Sequence, residues 1–182
     1  MLATARAARA ALLWALRAYA RHAPLVLGLS LVPTVQRFAL IAPGSPLTGG
    51  LGAASEAVAQ GSRLVLLGAL LWIAAREVLP PGRRTPAGAW AAFAAGITPR
   101  LGLFLGQFAF LAAAFVVFDL LPNAAIGLWV PAAERPWVVA AVVAAKNLTV
   151  IALTFAWLAG VFREFALLGE ADRANGVSAA PR

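Results

Sequence analysis

Cysteine is absent from the 182 residues, and histidine, methionine and tyrosine occur once each. Without cysteine there is no disulfide framework, no thiol nucleophile and no Cys-ligated metal, and a single histidine cannot build a His-based metal site. No metal and no cofactor is therefore expected. Acidic residues are also scarce, seven against fifteen Lys and Arg. They form no close carboxylate cluster of the kind that metal-assisted phosphoryl or alcohol transfer uses. A Gly-Lys-Ser/Thr phosphate loop, a His-Glu-x-x-His and a Gly-x-Ser-x-Gly are all missing. No ring of repeated polar residues lines an apolar stretch, which removes the signature of a channel filter.

What is present is apolar. The chain is 62% hydrophobic and 12% charged, where soluble domains carry roughly a quarter charged residues. It reads as an all-α integral membrane protein with four transmembrane helices. The net charge of +8 belongs to basic residues beside apolar spans, where orientation and anionic lipid headgroups account for it; no nucleic acid is expected.

From Leu2 to Arg21 the pattern is that of a basic amphipathic helix, with Arg6, Arg9, Arg17 and Arg21 on one side and Ala8, Leu12, Ala15 and Tyr19 on the other. Such a helix lies in the headgroup plane; the alternative is a water-exposed helix docked on a partner. Arg17 and Arg21 interrupt any signal-peptide core, so cleavage is not expected. The first span is Leu25 to Ala42, with Pro33 inside it, and the second lies in a helix from Leu51 to Leu79. Ala87 to Ile97 is too short to cross and is expected as a second in-plane helix. The third span runs from Leu101 to Leu121, with Gly102 and Gly106 spaced for close helix contact. Pro122 to Pro136 is expected as a connector, with Trp129 and Trp137 as interfacial anchors.

The fourth span, within Trp137 to Phe165, carries Lys146 and Asn147 midway. A charge there costs several kcal/mol unless it faces protein or water. At about 100° per residue, Lys146, Thr149, Val150, Leu153, Thr154 and Trp157 share a face, and that polar face is expected to pack in the bundle. Residues 170–182 are expected to form a flexible cytoplasmic tail. With the N-terminus inside, 11 of the 15 basic residues fall on the inner side, so both termini are expected in the cytoplasm of a multi-pass cytoplasmic (inner) membrane protein.

The two halves, 2–79 and 87–168, match in type: an in-plane helix, a span, an outer connector and a span ending in Arg-Glu. LLWIAAREVL at 70–79 is similar to LAGVFREFAL at 158–167. The repeat predicts cross-pairs, Arg76 with Glu164 and Arg163 with Glu77, because sequence neighbours on a helix point about 100° apart. Each half is then a hairpin preceded by an interfacial helix.

Arg37, Arg63 and Lys146 all reach the outer half of the bilayer when about 1.5 Å is allowed per helical residue. With Gln36 and Asn147 they are candidates for an outer-leaflet site for an anionic headgroup, phosphate or carboxylate. Internal pairing is the alternative, since three acids, Glu56, Asp119 and Glu134, lie at or near the same level as the three cations.

The opening LRAYARHAPLVLGLSLVP at 16–33 resembles small bacterial membrane proteins related to the glycerophosphoryl diester phosphodiesterase membrane domain. The resemblance implies a membrane module, and no phosphodiesterase residues are carried over. Three functional readings remain open. One is a non-enzymatic membrane subunit or scaffold that docks partner proteins or a second copy. Another is a transport or lipid-binding module with the outer anion site. The third is an enzyme acting on lipid with Glu56 or Asp119 as base. The partners expected are membrane lipids, including anionic headgroups, and further subunits in a homo- or hetero-oligomer.

Overall fold

The computed structural model describes residues 2–176. The described residues form five helices: α1 Leu2–Arg21, α2 Ala23–Ile41 and α3 Gly49–Val78, then α4 Pro86–Trp129 and α5 Arg135–Ala174. Four of them, α2 to α5, are long and apolar enough to cross a membrane. In hydrocarbon a backbone must satisfy its own hydrogen bonds, which favours uninterrupted helices over the loops that the same sequence would adopt in water.

That constraint changes two boundaries. Ala87–Ile97 is not a separate helix. It opens α4, and the chain continues through a 3₁₀ turn at Thr98–Arg100 with helical angles kept at Ile97, Thr98 and Leu101. The connector expected at 122–136 is likewise helical as far as Trp129. A proline inside a helix removes one bond and crowds the preceding turn. Here a π-turn at Val116–Leu120, in which the Leu121 N–H donates to the Val116 carbonyl, immediately precedes Pro122 and takes up the misfit. The break falls only at residues 130–134. Thr85 starts α4 cleanly, its Oγ1 accepting from the Gly88 N–H at 3.0 Å with Pro86 at the first helical position.

The chain divides into two compact units, and each collects pieces from both ends of the sequence. Unit 1 holds residues 1–18, 68–110 and 156–182. Its packing is built on small residues. The buried face of α1 is Ala8, Ala11, Trp14, Ala15 and Ala18, while Leu12, expected on that face, is exposed. A Cβ on Gly160 of α5 would run into the Ala11 backbone, and Cβ atoms on Gly96 and Gly169 would meet the Phe165 and Ala92 carbonyl oxygens. Helices approach this closely only where side chains are missing. Of the two glycines singled out in α4, Gly106 meets Thr4 of α1 and Gly102 has nothing within 4 Å. Aromatic rings fill the remaining space, with Phe93 against Phe162 and both Phe93 and Phe104 edge-on to Phe165.

Four acids in unit 1 are held by arginines. Arg83 donates to Glu170 at 2.8 Å and Arg100 to Asp172 at 2.7 Å, and Arg173 also pairs with Glu170. The polar segment from residue 170 is therefore helical to Ala174 and tied down where fraying is expected. Residues 177–182, including Arg182, lie outside the described residues. Arg163 bridges Glu77 at 3.1 Å and its own neighbour Glu164 at 2.7 Å. The second pairing goes against the neighbour argument, since a long arginine stem bends far enough to offset the angle. Arg76 is exposed and does not pair with Glu164. Trp14 Nε1 donates to Glu77 at 2.8 Å, tying α1 to the end of α3.

Unit 2 holds residues 19–67 and 111–155. There α2 packs along the first part of α5, burying Val26, Ser30, Pro33, Thr34 and Gln36. Tyr19 donates to the Leu148 carbonyl at 2.7 Å, and burial pushes its phenol above the ordinary tyrosine pKa.

Candidate functional site

Seven polar residues of unit 2, Gln36, Arg37, Ser55, Glu56, Gln60, Arg63 and Asn147, form one connected cluster on α2, α3 and α5. Its frame is local. Glu56, Gln60 and Arg63 stand on one stripe of α3 at i, i+4 and i+7, and the Gln60 amide donates to Glu56 Oε1 at 2.6 Å while its oxygen accepts from Arg63 Nη1 at 3.2 Å. Facing them on α2, Arg37 pairs with Glu56 at 2.7 Å, and the Gln36 amide donates to Glu56 Oε2 at 3.2 Å and to Ser55 Oγ at 3.3 Å. Arg63 Nη2 reaches Asn147 Oδ1 of α5 at 2.6 Å. Asn147, 1% exposed, anchors itself by donating to the Val143 carbonyl.

The five candidates therefore divide. Gln36, Arg37, Arg63 and Asn147 join one hydrogen-bonded cluster. Lys146 does not: its Nζ pairs with Asp119 of α4 at 2.8 Å. Of the three cations, Arg37 and Lys146 have acidic partners, whereas Arg63 bonds only neutral amides. Its Nε is buried without a partner, as is Gln36 Oε1. Buried polar atoms are nearly always satisfied, so two in one cluster stand out.

Two π-turns set this geometry. Asp119 lies within the turn at Val116–Leu120, and Asn147 opens the turn at Asn147–Ile151, directly after Lys146. A π-turn adds a residue to the turn and rotates the faces beyond it. The buried stripe of α5 accordingly runs Ala140, Asn147, Ala152, Ala156, Ala159, with a step of five residues across the turn. This overturns the face drawn on an ideal wheel: Thr149 is exposed and the alanine side packs.

Asp119 has a second distinction. Its side chain is 40% exposed, against 13% for Lys146, and around it Phe115, Val116, Val117, Phe118, Leu120 and Leu121 are all exposed. Only 6% of the apolar window of α4 is buried, compared with 28%, 22% and 17% for α2, α3 and α5.

Sequence reasoning missed Gln107, 3% exposed, whose amide donates to the Thr4 and Leu103 carbonyls. A lone glutamine inside an apolar run was the available signal. Among the described residues no group of three or more His, Cys, Asp or Glu is placed to hold a metal ion. No protein-family model, no curated protein and no solved structure matches this chain.

Proposed function

We propose that the chain is a non-enzymatic, multi-pass subunit of the cytoplasmic membrane that works by holding a transmembrane partner, with both termini on the cytoplasmic side. The observation that carries this reading is the half-exposed carboxylate of Asp119 on the least covered helix. Asp119 stands about 27 Å along α4 from Leu101, within a hydrocarbon layer about 30 Å thick. That is close to the outer boundary of the layer, where a carboxylate facing lipid costs less than the several kcal/mol of the bilayer centre but is still unfavourable, and Lys146 covers only part of it. The occupant that fits is another transmembrane helix presenting a hydrogen-bond donor, from a second copy or another protein, since the chain's own Asn123 reaches Asp119 only at 3.4 Å. Interhelical polar contacts of this type hold membrane subunits together.

The absence of native cysteine makes the test direct. F115C, one helical turn before Asp119 and 55% exposed, is compared in native membranes with V65C, 59% exposed on α3. A single adduct of defined mass with a bifunctional thiol or photo-reactive reagent, formed at F115C and not at V65C, is the expected result. Equal, diffuse labelling at both positions would refute the reading.

A second reading, a transport or lipid-binding module, is favoured by Arg63. In its cluster two arginines meet one acid, Glu56, so one positive charge stays uncompensated. A small oxyanion, carboxylate or phosphate, would neutralise it. Arg63→Met should then abolish anion binding and leave the unfolding transition in place; a loss of folding instead would make Arg63 structural.

A further inference from the structure

Unit 1 contains nine arginines and four acids among its described residues. The acids, Glu77, Glu164, Glu170 and Asp172, are engaged by Arg83, Arg100, Arg163 and Arg173. Arg6, Arg9, Arg17, Arg76 and Arg84 are left exposed, and no acidic side chain among the described residues pairs with them. Arg17 and Arg84 direct only their Nε to backbone carbonyls, those of Leu13 and Leu79. Their outer nitrogens remain open to a partner from outside.

We infer that these five arginines form a binding surface for anionic phospholipid headgroups, separate from the α4 partner contact. The side chains next to them favour lipid over an acidic protein. On α1 the surface turned away from the alanine face also presents Leu12, Leu13 and Leu16, each more than 40% exposed. Leucines interleaved with arginines fit the boundary between acyl chains and phosphates, with the leucines in the former and the guanidinium groups extending to the latter. Arginine's planar donor fork also matches phosphate oxygens. Because the alanine face is already buried against the chain's own helices, α1 is held in place before any lipid arrives, and the lipid does not have to order it.

The test uses the full chain in nanodiscs of equal phosphatidylcholine and phosphatidylglycerol, released into a mass spectrometer so that retained lipids are counted. Each arginine near an anionic surface is worth about fivefold in affinity. The wild type should retain phosphatidylglycerol far above its bulk share. R6Q/R9Q/R17Q should lower that preference by about a hundredfold. R76Q/R84Q, which gives up only the Arg84 bond to the Leu79 carbonyl, should lower it by about twentyfold and keeps the test open if the triple variant folds poorly. R135Q, whose arginine bonds the Gly127 and Val130 carbonyls in unit 2, should change nothing. Lipid retained in bulk proportion by the wild type, or preference unchanged in both multiple variants, would overturn the inference. Tight binding of polyglutamate by the solubilised protein without lipid preference would overturn it as well and assign the surface to an acidic protein.

Discussion

Replacing Gly160 by alanine tests the packing of α1 at its tightest point. A Cβ there would stand 2.5 Å from the Ala11 carbonyl oxygen and 3.1 Å from the Ala11 C and Cα, where ordinary contact begins at 3.4 Å. The obstructing atoms are all backbone, so no side chain can turn aside, and α1 must retreat by about 0.9 Å. That retreat loosens the whole alanine face of α1 and stretches the bond from Trp157 Nε1 to the Ala8 carbonyl, already 3.4 Å. Overpacking of this kind costs about 1–3 kcal/mol. Against it stands the helix propensity gained on replacing glycine by alanine, about 1 kcal/mol. Gly102 supplies the control, since its Cβ would meet nothing within 4 Å. G102A should therefore be neutral or slightly stabilising, and G160A should fall about 1–3 kcal/mol below it. Reversible unfolding in mixed micelles with increasing SDS measures both. If G160A is as stable as G102A, the close docking of α1 on α5 is wrong.

Lys146→Met leaves the Asp119 carboxylate without its cation. A fully buried pair broken in this way loses about 3–5 kcal/mol, and the partial exposure of Asp119 reduces this to about 1–3 kcal/mol. The double variant K146M/D119L should recover most of the loss, and a double-mutant cycle in the same micelles checks it; a neutral K146M would show that the pair contributes nothing. Trp14→Phe should destabilise by about 1–2 kcal/mol, because it removes a charge-assisted bond while Glu77 keeps Arg163. Trp157→Phe should cost less, its bond being long, and an inverted order from the same titration would contradict the geometry. E170Q/D172N frees the last turn of α5 from Arg83 and Arg100, so limited trypsin digestion should cut faster after Arg173 than in the wild type.

The strongly apolar, periodic stretches were legible from sequence. The expected α1 at 2–21 coincides with the observed helix, and the starts and ends of α2 and α3 fall within two residues of those expected. What was not legible has a common cause. Pro99 and Pro122 read as breaks because proline stops helices in water, yet in α4 a 3₁₀ turn and a π-turn absorb them. The second π-turn, after Lys146, rotates the face of α5, so a wheel drawn at constant pitch buried the wrong side. No residue pattern announces a π-turn in advance, and every face assignment beyond one inherits its error. The polar stripe Glu56, Gln60, Arg63 was readable because it lies within one regular helix. Its link to Asn147 was not, since that depends on how two helices distant in sequence cross. The Arg163–Glu77 contact was reached through the repeat, whereas Arg83–Glu170 and Arg100–Asp172 were missed because a polar chain end was read as fraying.

The account stands or falls on whether Asp119 and the uncovered stretch of α4 face a partner helix. Native mass spectrometry of the chain released from nanodiscs formed directly from its native membrane decides this. The account predicts a complex with a second copy or another membrane protein at fixed stoichiometry, weakened by Asp119→Leu in the K146M background, which removes the polar contact without leaving a lone charge. A chain released as a monomer carrying lipid alone, in wild type and variant alike, would contradict it.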